Sequence, residues 1–313
     1  MDWIYGRQVV RLACADGAKR RPHRLAATAE GLAWLAAHGV GVKGRLATDR
    51  GARDAGRDPG DANRGSRDTS RGSRDTSRGS RDTRRGAPAA FGFEVETVTS
   101  SDLQQLTGSR DHQGAACLVG DYPYVAPDSL LACELLVVLD EVTDPRNLGA
   151  IARSALAAGA GGLVLPRHRS AAVTPAAVKA SAGATEHLDI AHVTNVVAFL
   201  GQAKQAGAWV YGAEGAAGRP YDALDLGGRV ALVFGGEGRG LRPLVRRACD
   251  ELAAIPMQGP VGSLNVSVAA ALFLFEARRQ RAAAAPAGQA APPAQAGCGP
   301  SPAGHGPGSS RGA

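Results

Sequence analysis

The hydrophobic and polar positions of this chain change their pattern twice along its length. From Glu134 onward, short apolar runs alternate with helical patterns, which is typical of a parallel sheet covered by helices on both faces. Strands are predicted at 135–139, 163–165, 192–193, 208–211 and 230–234, followed by an apolar run at 252–257. Helices are predicted from Asp144-Pro145 to Gly159, at 176–182 and at 196–206. The fold class predicted for this part is therefore α/β.

The beginning of the chain predicts a second, smaller α/β unit. A helical pattern covers 30–35, an alternating strand pattern covers 93–98, and 101–106 reads as a capped helical turn. A further strand follows His112-Gln113-Gly114. We therefore predict an N-terminal domain at 1–120, a linker at 121–132 and a second domain at 133–281.

Two segments lack the apolar residues that a core needs. Residues 43–86 repeat the heptapeptide Arg-Gly-Ser-Arg-Asp-Thr-Ser, starting at Arg64 and Arg71, with an imperfect copy at Arg78. Residues 282–313 are rich in Ala, Pro and Gly without periodicity. Since neither segment can bury enough apolar surface to offset its ordering entropy, we predict a disordered insertion and a disordered tail.

The charge of the chain is concentrated in the insertion. The whole chain carries a net charge of +7, which favours a nucleic-acid partner. Residues 43–86 hold one Lys, twelve Arg and seven Asp, so they contribute +6 and the rest contributes only +1. The repeat could hold RNA loosely through charge, although its Asp residues weaken that field. The basic run 19–24 fits phosphate contact and a solvated loop equally well.

The spacing of the cysteines and the hydropathy of the chain exclude several further kinds of site and protein. Five scattered cysteines without CxxC spacing argue against a zinc site or a disulfide framework, so we expect no metal and a reducing compartment. No apolar run approaches the roughly 18 residues that a membrane span needs, and no signal-peptide core is visible. We expect a cytoplasmic protein without membrane contact.

Glycine-rich loops follow two of the predicted strands. The strand 230–234 runs into Gly235, Gly236, Gly238 and Gly240, with one acid, Glu237, among them. The run 252–257 leads to a helix that Ser263 is expected to cap, with Asn265 and Ser267 in its first turn. Because parallel strands end at the same edge of a sheet, this arrangement predicts a ligand site there.

A third loop carries the candidate cationic groups. Arg146 and Arg153 are seven residues apart on the helix after Asp144, so they share a face and together suit phosphate. Asn147 lies in the same first turn.

The loop after strand 230–234, which we call the glycine loop, lacks GxGxxG spacing and comes late in the chain. These two features argue against a dinucleotide site and against the common methyltransferase fold. No P-loop and no Ser-His-Asp order is present.

Together these segments resemble the three motifs of the SpoU/TrmH methyltransferases. The resemblance covers about 130–280 and lies in 147–153, 234–238 and 255–267. Trp3-Ile4-Tyr5-Gly6 and His112-Gln113-Gly114 are also similar to the N-terminal substrate-binding domain of the RlmB-like branch, which methylates a guanosine ribose in 23S rRNA. The insertion 43–86 departs from that pattern.

The resemblance implies a SPOUT fold with a C-terminal trefoil knot, bound S-adenosylmethionine and a homodimer whose interface builds the site. It implies that Gly235, Ile255, Leu264 and Ser263 hold the cofactor. Arg153 would act at the ribose 2′-hydroxyl as an orienting group, since a guanidinium barely deprotonates. The remaining catalytic candidates would shape the loops and place Arg153; they are Asn147, Glu237, Asn265 and Ser267.

Three alternatives remain open on the sequence. Within the enzyme class, they are a tRNA guanosine 2′-O-methyltransferase and a ribosome-protecting resistance methyltransferase. Outside it, the chain could be an RNA-binding protein without catalysis, although the presence of Arg153, Glu237 and Asn265 argues against that.

Overall fold

A computed structural model describes residues 1–41, 93–260 and 262–284 of the protein. The predicted insertion 43–86 lies outside the described residues, as does most of the predicted tail. Residues 282–284, which the prediction placed in that tail, instead continue the last helix.

Within the described residues, the first sheet has four strands in mixed orientation. They are β1 (Asp2–Tyr5), β2 (Arg24–Ala27), β3 (Glu94–Thr97) and β4 (Ala115–Val119), in the order β1-β4-β2-β3. β4 pairs antiparallel with β1 and β2, while β2 and β3 are parallel. Three helices accompany this sheet: α1 (Arg7–Ala13), α2 (Ala29–Ala37) and α3 (Ser100–Thr107).

The capped helical turn predicted in this region is confirmed as α3. The helix begins at Ser100, because Thr99 and Asp102 form a reciprocal capping box. The backbone N–H of Thr99 donates to the Asp102 carboxylate at 2.9 Å, and the N–H of Asp102 donates to Thr99 Oγ1 at 3.2 Å. Both donors belong to the group that a helix start leaves without intrahelical partners.

The second sheet has seven strands, all paired in parallel. In chain order they are β5 (Leu135–Asp140), β6 (Gly162–Pro166), β7 (Asp189–Val193), β8 (Trp209–Ala213), β9 (Arg219–Pro220), β10 (Val230–Gly235) and β11 (Glu251–Ala254). Their order across the sheet is β7-β6-β5-β10-β8-β11-β9. The intervening helices are α4 (Pro145–Ala158), α5 (Pro175–Ala180), α6 (Val196–Gln205) and α7 (Pro243–Ala248), and α8 (Val266–Ala284) follows β11.

Helices cover both faces of this sheet, as the unbroken apolar runs predicted. All six residues of β5 are buried, and they alternate between two clusters. Leu135, Val137 and Leu139 pack into the core that contains residues of α4 and α8. Leu136 and Val138 pack into the core that contains residues of α6 and α7. None of the described helices combines the length and the hydropathy needed to cross a membrane.

The two sheets are joined by a buried ion pair. Arg20 is 4% exposed and donates through Nε to Glu186 Oε2 at 3.0 Å, while Glu186 is fully buried. The Arg20 guanidinium also lies over the Tyr122 ring, and Lys19 pairs with Asp189. Neither interpretation of the basic run 19–24 predicted these ion pairs. The sequence alone does not show which carboxylates pair with Lys19 and Arg20, because their partners lie about 170 residues further along the chain.

Candidate active site

A cavity of about 600 Å³ opens at the carboxyl edge of the parallel sheet. The ends of β8, β10 and β11 and the segment leading into α8 form its walls. Its volume lies within the range of about 300–1,000 Å³ that small-molecule sites occupy. All four predicted cofactor residues line it: Gly235, Ile255, Ser263 and Leu264.

The loop after β10 folds tightly against its neighbours, and two glycines make this possible. A Cβ atom on Gly235 would lie 2.1 Å from the carbonyl carbon of Gly240. A Cβ atom on Gly236 would lie 2.4 Å from the carbonyl oxygen of Glu141, in the loop after β5. The loop then closes through a 3.1 Å hydrogen bond from Gly240 N–H to the Gly236 carbonyl. Only residues without side chains permit this approach.

Four polar side chains from three separate segments meet beside the cavity, and we call them the polar cluster: Asn147, Glu237, Asn265 and Ser267. Asn147, near the start of α4, is buried and donates from Nδ2 to Glu237 Oε1. Asn265 donates from Nδ2 to Asn147 Oδ1 at 3.1 Å and to Glu237 Oε1 at 3.2 Å. The sequence pointed to all four residues, and the structure brings them together.

The start of α8 differs from the prediction. Ser263 was expected to cap this helix, but α8 begins at Val266. Asn265 is the residue that caps it, because its Oδ1 accepts hydrogen bonds from Ser267 N–H at 2.9 Å and Ser267 Oγ at 2.6 Å. Both residues are good caps, and spacing alone cannot choose between them. Ser263 lies instead three residues before α8, along the cavity wall.

Arg153 does not line the cavity of its own chain. It lies on the exposed face of α4 together with Arg146, whereas Asn147 faces the protein interior. Arg146 makes a 3.6 Å ion pair with Asp144, the cap of α4. The shared face predicted for the two arginines is confirmed, but among the described residues of one chain no contact joins Arg153 to the polar cluster.

An ion pair that the sequence pattern did not reveal holds the glycine loop in place. Asp140, at the end of β5, is fully buried and accepts hydrogen bonds from Arg242 Nε at 2.7 Å and from Arg242 N–H at 2.9 Å. The hydrogen bond to Asp140 raises the pKa of Arg242 above its usual value. An acid ending an otherwise apolar strand was a visible signal, because a buried carboxylate needs a partner.

Comparison with known proteins identifies the family. The SpoU rRNA methylase family matches residues 134–275. The 23S rRNA (guanosine-2′-O-)-methyltransferase RlmB of Xylella fastidiosa is 44% identical over 198 residues, which cover 61% of this chain and 79% of that protein. An uncharacterized tRNA/rRNA methyltransferase of Mycobacterium ulcerans is 43% identical over 196 residues. That match covers 61% of this chain and 63% of the mycobacterial protein, so the chain matches less than two thirds of its length.

Solved structures agree on the fold. The SpoU methyltransferase AviRb of Streptomyces viridochromogenes superimposes with a TM-score of 0.63 at 23% identity, covering 90% of each chain. An rRNA methyltransferase of Sinorhizobium meliloti gives a TM-score of 0.60 at 25% identity, covering 89% of this chain and 86% of that one. The chain belongs to the SpoU methylase family.

Proposed function

We propose that the protein transfers a methyl group from S-adenosylmethionine to the ribose 2′-hydroxyl of an RNA guanosine, in 23S rRNA and in the cytoplasm. The observation that carries this proposal is the polar cluster, because it ties three motif segments together at the edge of a small-molecule cavity. The likeness to the Xylella RlmB enzyme supports guanosine in 23S rRNA as the target.

The cavity suits S-adenosylmethionine in shape and in chemistry. Gly235 leaves backbone groups accessible, and Ile255, Met257 and Leu264 add apolar wall. Met257 and Leu264 are 36% and 38% exposed, so apolar surface is left for an adenine ring to cover. Gly235, Ile255, Ser263 and Leu264 would hold the cofactor, mainly through their backbone groups.

Once bound, S-adenosylmethionine supplies an electrophilic methyl group on a sulfonium centre. The residues of the chain would then hold the methyl group and the ribose hydroxyl in line with each other. Such positioning accounts for much of the rate in displacement reactions. The polar cluster would keep the start of α4, the loop after β10 and the start of α8 in one geometry. Arg153 would orient the target phosphate and hydroxyl, because its guanidinium stays charged and cannot accept the proton. The 2′-oxygen would bond to the methyl group as the sulfur–methyl bond breaks, S-adenosylhomocysteine would leave, and the hydroxyl proton would pass to solvent water.

We also propose a homodimer in which Arg153 of one protomer serves the cavity of its partner. Val268, Leu272 and Phe275 form an exposed apolar stripe along α8, at i, i+4 and i+7 spacing. α8 packs against α4, the helix that carries Arg153, so a second copy on this stripe would approach Arg153. This arrangement accounts for the absence of Arg153 from the cavity of its own chain.

Three further assignments rest on the family. The segment between β11 and α8 would pass through the loops around β5 and β10 as a trefoil knot, which agrees with the contact between Asn265 and Asn147. The four-stranded unit within residues 1–120, which lies outside the matched family segment, would recognise folded RNA, as its resemblance to the RlmB-like substrate-binding domain implies. Residues 133–281 would form the methyltransferase domain.

Labelled methyl transfer tests the proposal. Purified protein is incubated with methyl-labelled S-adenosylmethionine and unmodified transcripts of 23S rRNA or tRNA. We expect label in 23S rRNA, recovered as 2′-O-methylguanosine, and none with Arg153→Ala, which should still bind the cofactor in calorimetry. Label found only in tRNA would show that the substrate is tRNA and not 23S rRNA. Cofactor binding without transfer to either RNA would contradict the proposed activity.

A further inference from the structure

A basic loop follows β6, the neighbour of β5 in the sheet, and the proposed function leaves it unused. It consists of Arg167, His168 and Arg169, all exposed, and we call it the β6 loop. Within the described part of the chain, the Arg167 guanidinium makes no hydrogen bond or ion pair. The loop lies at the same edge of the sheet as the cavity, since all seven strands run parallel.

The β6 loop is fixed to the loop after β5. Ala171 N–H donates to the Val142 carbonyl at 2.8 Å, and Arg169 Nη1 lies 3.4 Å from Glu141 Oε1. Glu141 and Arg169 both have positive φ, 62° and 56°, which is unusual for residues with side chains. Such strained conformations persist only where surrounding contacts hold them, and they cluster at functional sites.

Direct contacts connect this pair of loops to the cavity. The Glu141 carbonyl packs against Gly236, and its carboxylate lies 3.9 Å from Arg242 Nη1. Gly236 lines the cavity, and Arg242 holds the end of the glycine loop to Asp140. A group bound at the β6 loop would therefore lie beside the cofactor cavity rather than on a distant surface.

We propose that Arg167 and Arg169 bind the phosphodiester backbone of the RNA next to the methylated nucleotide. This inference rests on the proposed function. The Arg169 side chain is 79% exposed, and only one of its nitrogens faces Glu141. A guanidinium carries five N–H donors, so Arg169 keeps free donors in the forked geometry that suits phosphate. Glu141 is 18% exposed and orients Arg169, and its carboxylate is shared with Arg242, whose Nη1 lies 3.9 Å away, so one negative charge faces two guanidiniums.

Salt-dependent RNA binding tests this site separately from catalysis. The test variant is Arg167→Gln with Arg169→Asn, because Asn is neutral and tolerates positive φ. The matched control is Arg246→Ala with Arg247→Ala. It also removes two exposed guanidiniums, but they lie in the last turn of α7, near the amino edge of the sheet. The probe is a fluorescein-labelled single-stranded RNA 20-mer of mixed sequence, measured by anisotropy over a salt series.

We expect the test variant to bind the RNA roughly tenfold more weakly at low salt. Its slope of log affinity against log salt should be shallower by about 1.4, since each lost phosphate contact removes about 0.7. The control should retain the wild-type slope, and both variants should bind S-adenosylmethionine normally, which shows that they are folded.

Unchanged slopes, or equal changes in the test and control variants, would overturn the proposed phosphate site. These outcomes do not depend on the proposed activity. If the protein transfers no methyl group but the test variant alone loses salt-dependent binding, the phosphate site stands and the proposed activity fails. If methyl transfer occurs and RNA binding by the test variant is unchanged, the proposed activity stands and the phosphate site fails.

Discussion

At the scale of single residues, Asn265 makes the contacts that join the three motif segments. Its amide donates to Asn147 and Glu237, and its carbonyl oxygen caps α8. One side chain thus satisfies a buried amide, positions the acid of the glycine loop and starts a helix. Its loss should disturb both the stability of the protein and the shape of the cavity.

We predict that Asn265→Ala lowers the free energy of unfolding by about 1 kcal/mol through the lost cap. Because contacts to Asn147 and Glu237 are lost as well, we expect roughly tenfold weaker binding of S-adenosylmethionine. Urea denaturation and calorimetry measure the two effects.

Asn195→Ala is the matched control for this prediction. Asn195 caps α6 by accepting a 3.2 Å hydrogen bond from Ala198 N–H, and it does not line the cavity. The control should lose similar stability and bind the cofactor normally. Equal cofactor affinity in the two variants would show that Asn265 is only a helix cap.

At the scale of elements, the glycine loop depends on backbone contact rather than on side chains. Gly235 ends β10 and touches the backbone of Gly240, so the chain doubles back directly over the strand end. We predict that Gly235→Ala displaces this loop, abolishes cofactor binding in calorimetry and destabilises the protein by about 1–3 kcal/mol.

Gly201→Ala provides the comparison for the glycine loop. Gly201 lies in α6, where an added Cβ would meet no atom within 4 Å. This variant should be stabilised by about 0.5–1 kcal/mol and should bind the cofactor fully. Normal cofactor binding by Gly235→Ala would contradict the role assigned to the loop.

The contact between the two sheets depends on Arg20 and Glu186. Removal of one partner leaves a buried charge unpaired, so we predict that Arg20→Met costs about 3–5 kcal/mol of unfolding free energy. The double variant Arg20→Met/Glu186→Leu should recover most of that loss in urea denaturation. A double variant as unstable as Arg20→Met would show that the pair does not act through its charges.

The sequence was sufficient for elements whose signals are local. The capped start of α4 at Asp144-Pro145, its Gly159 end and the apolar strands β5 and β10 all appear as predicted. The missed features depend on contacts between residues far apart in the chain. β9 has only two residues, and the partners of Arg20 and Arg242 lie more than 100 residues away from them.

At the scale of the whole molecule, the proposed homodimer would bring Arg153 to the cavity of a second copy of the chain. The residue is exposed on α4 and absent from its own cavity, while α8, which packs against α4, carries an exposed apolar stripe. In a symmetric dimer each site would combine the cavity of one protomer with Arg153 of the other.

We predict that two inactive variants restore activity when mixed. In a heterodimer of Arg153→Ala and Gly235→Ala chains, the intact cavity of the first meets the intact Arg153 of the second. Random exchange of subunits should restore about a quarter of the wild-type methyl transfer, since half of the dimers are mixed and each has one complete site. Absence of activity after confirmed subunit exchange would place Arg153 at its own cavity or outside catalysis.

Mapping of ribose methylation in 23S rRNA from cells with and without this protein tests the central claim most directly. We predict that one guanosine loses its 2′-O-methyl group in the deletion strain. The wild-type gene should restore it, whereas the Arg153→Ala gene should not. An identical methylation pattern in the presence and absence of the protein would contradict ribose methylation of 23S rRNA as its activity.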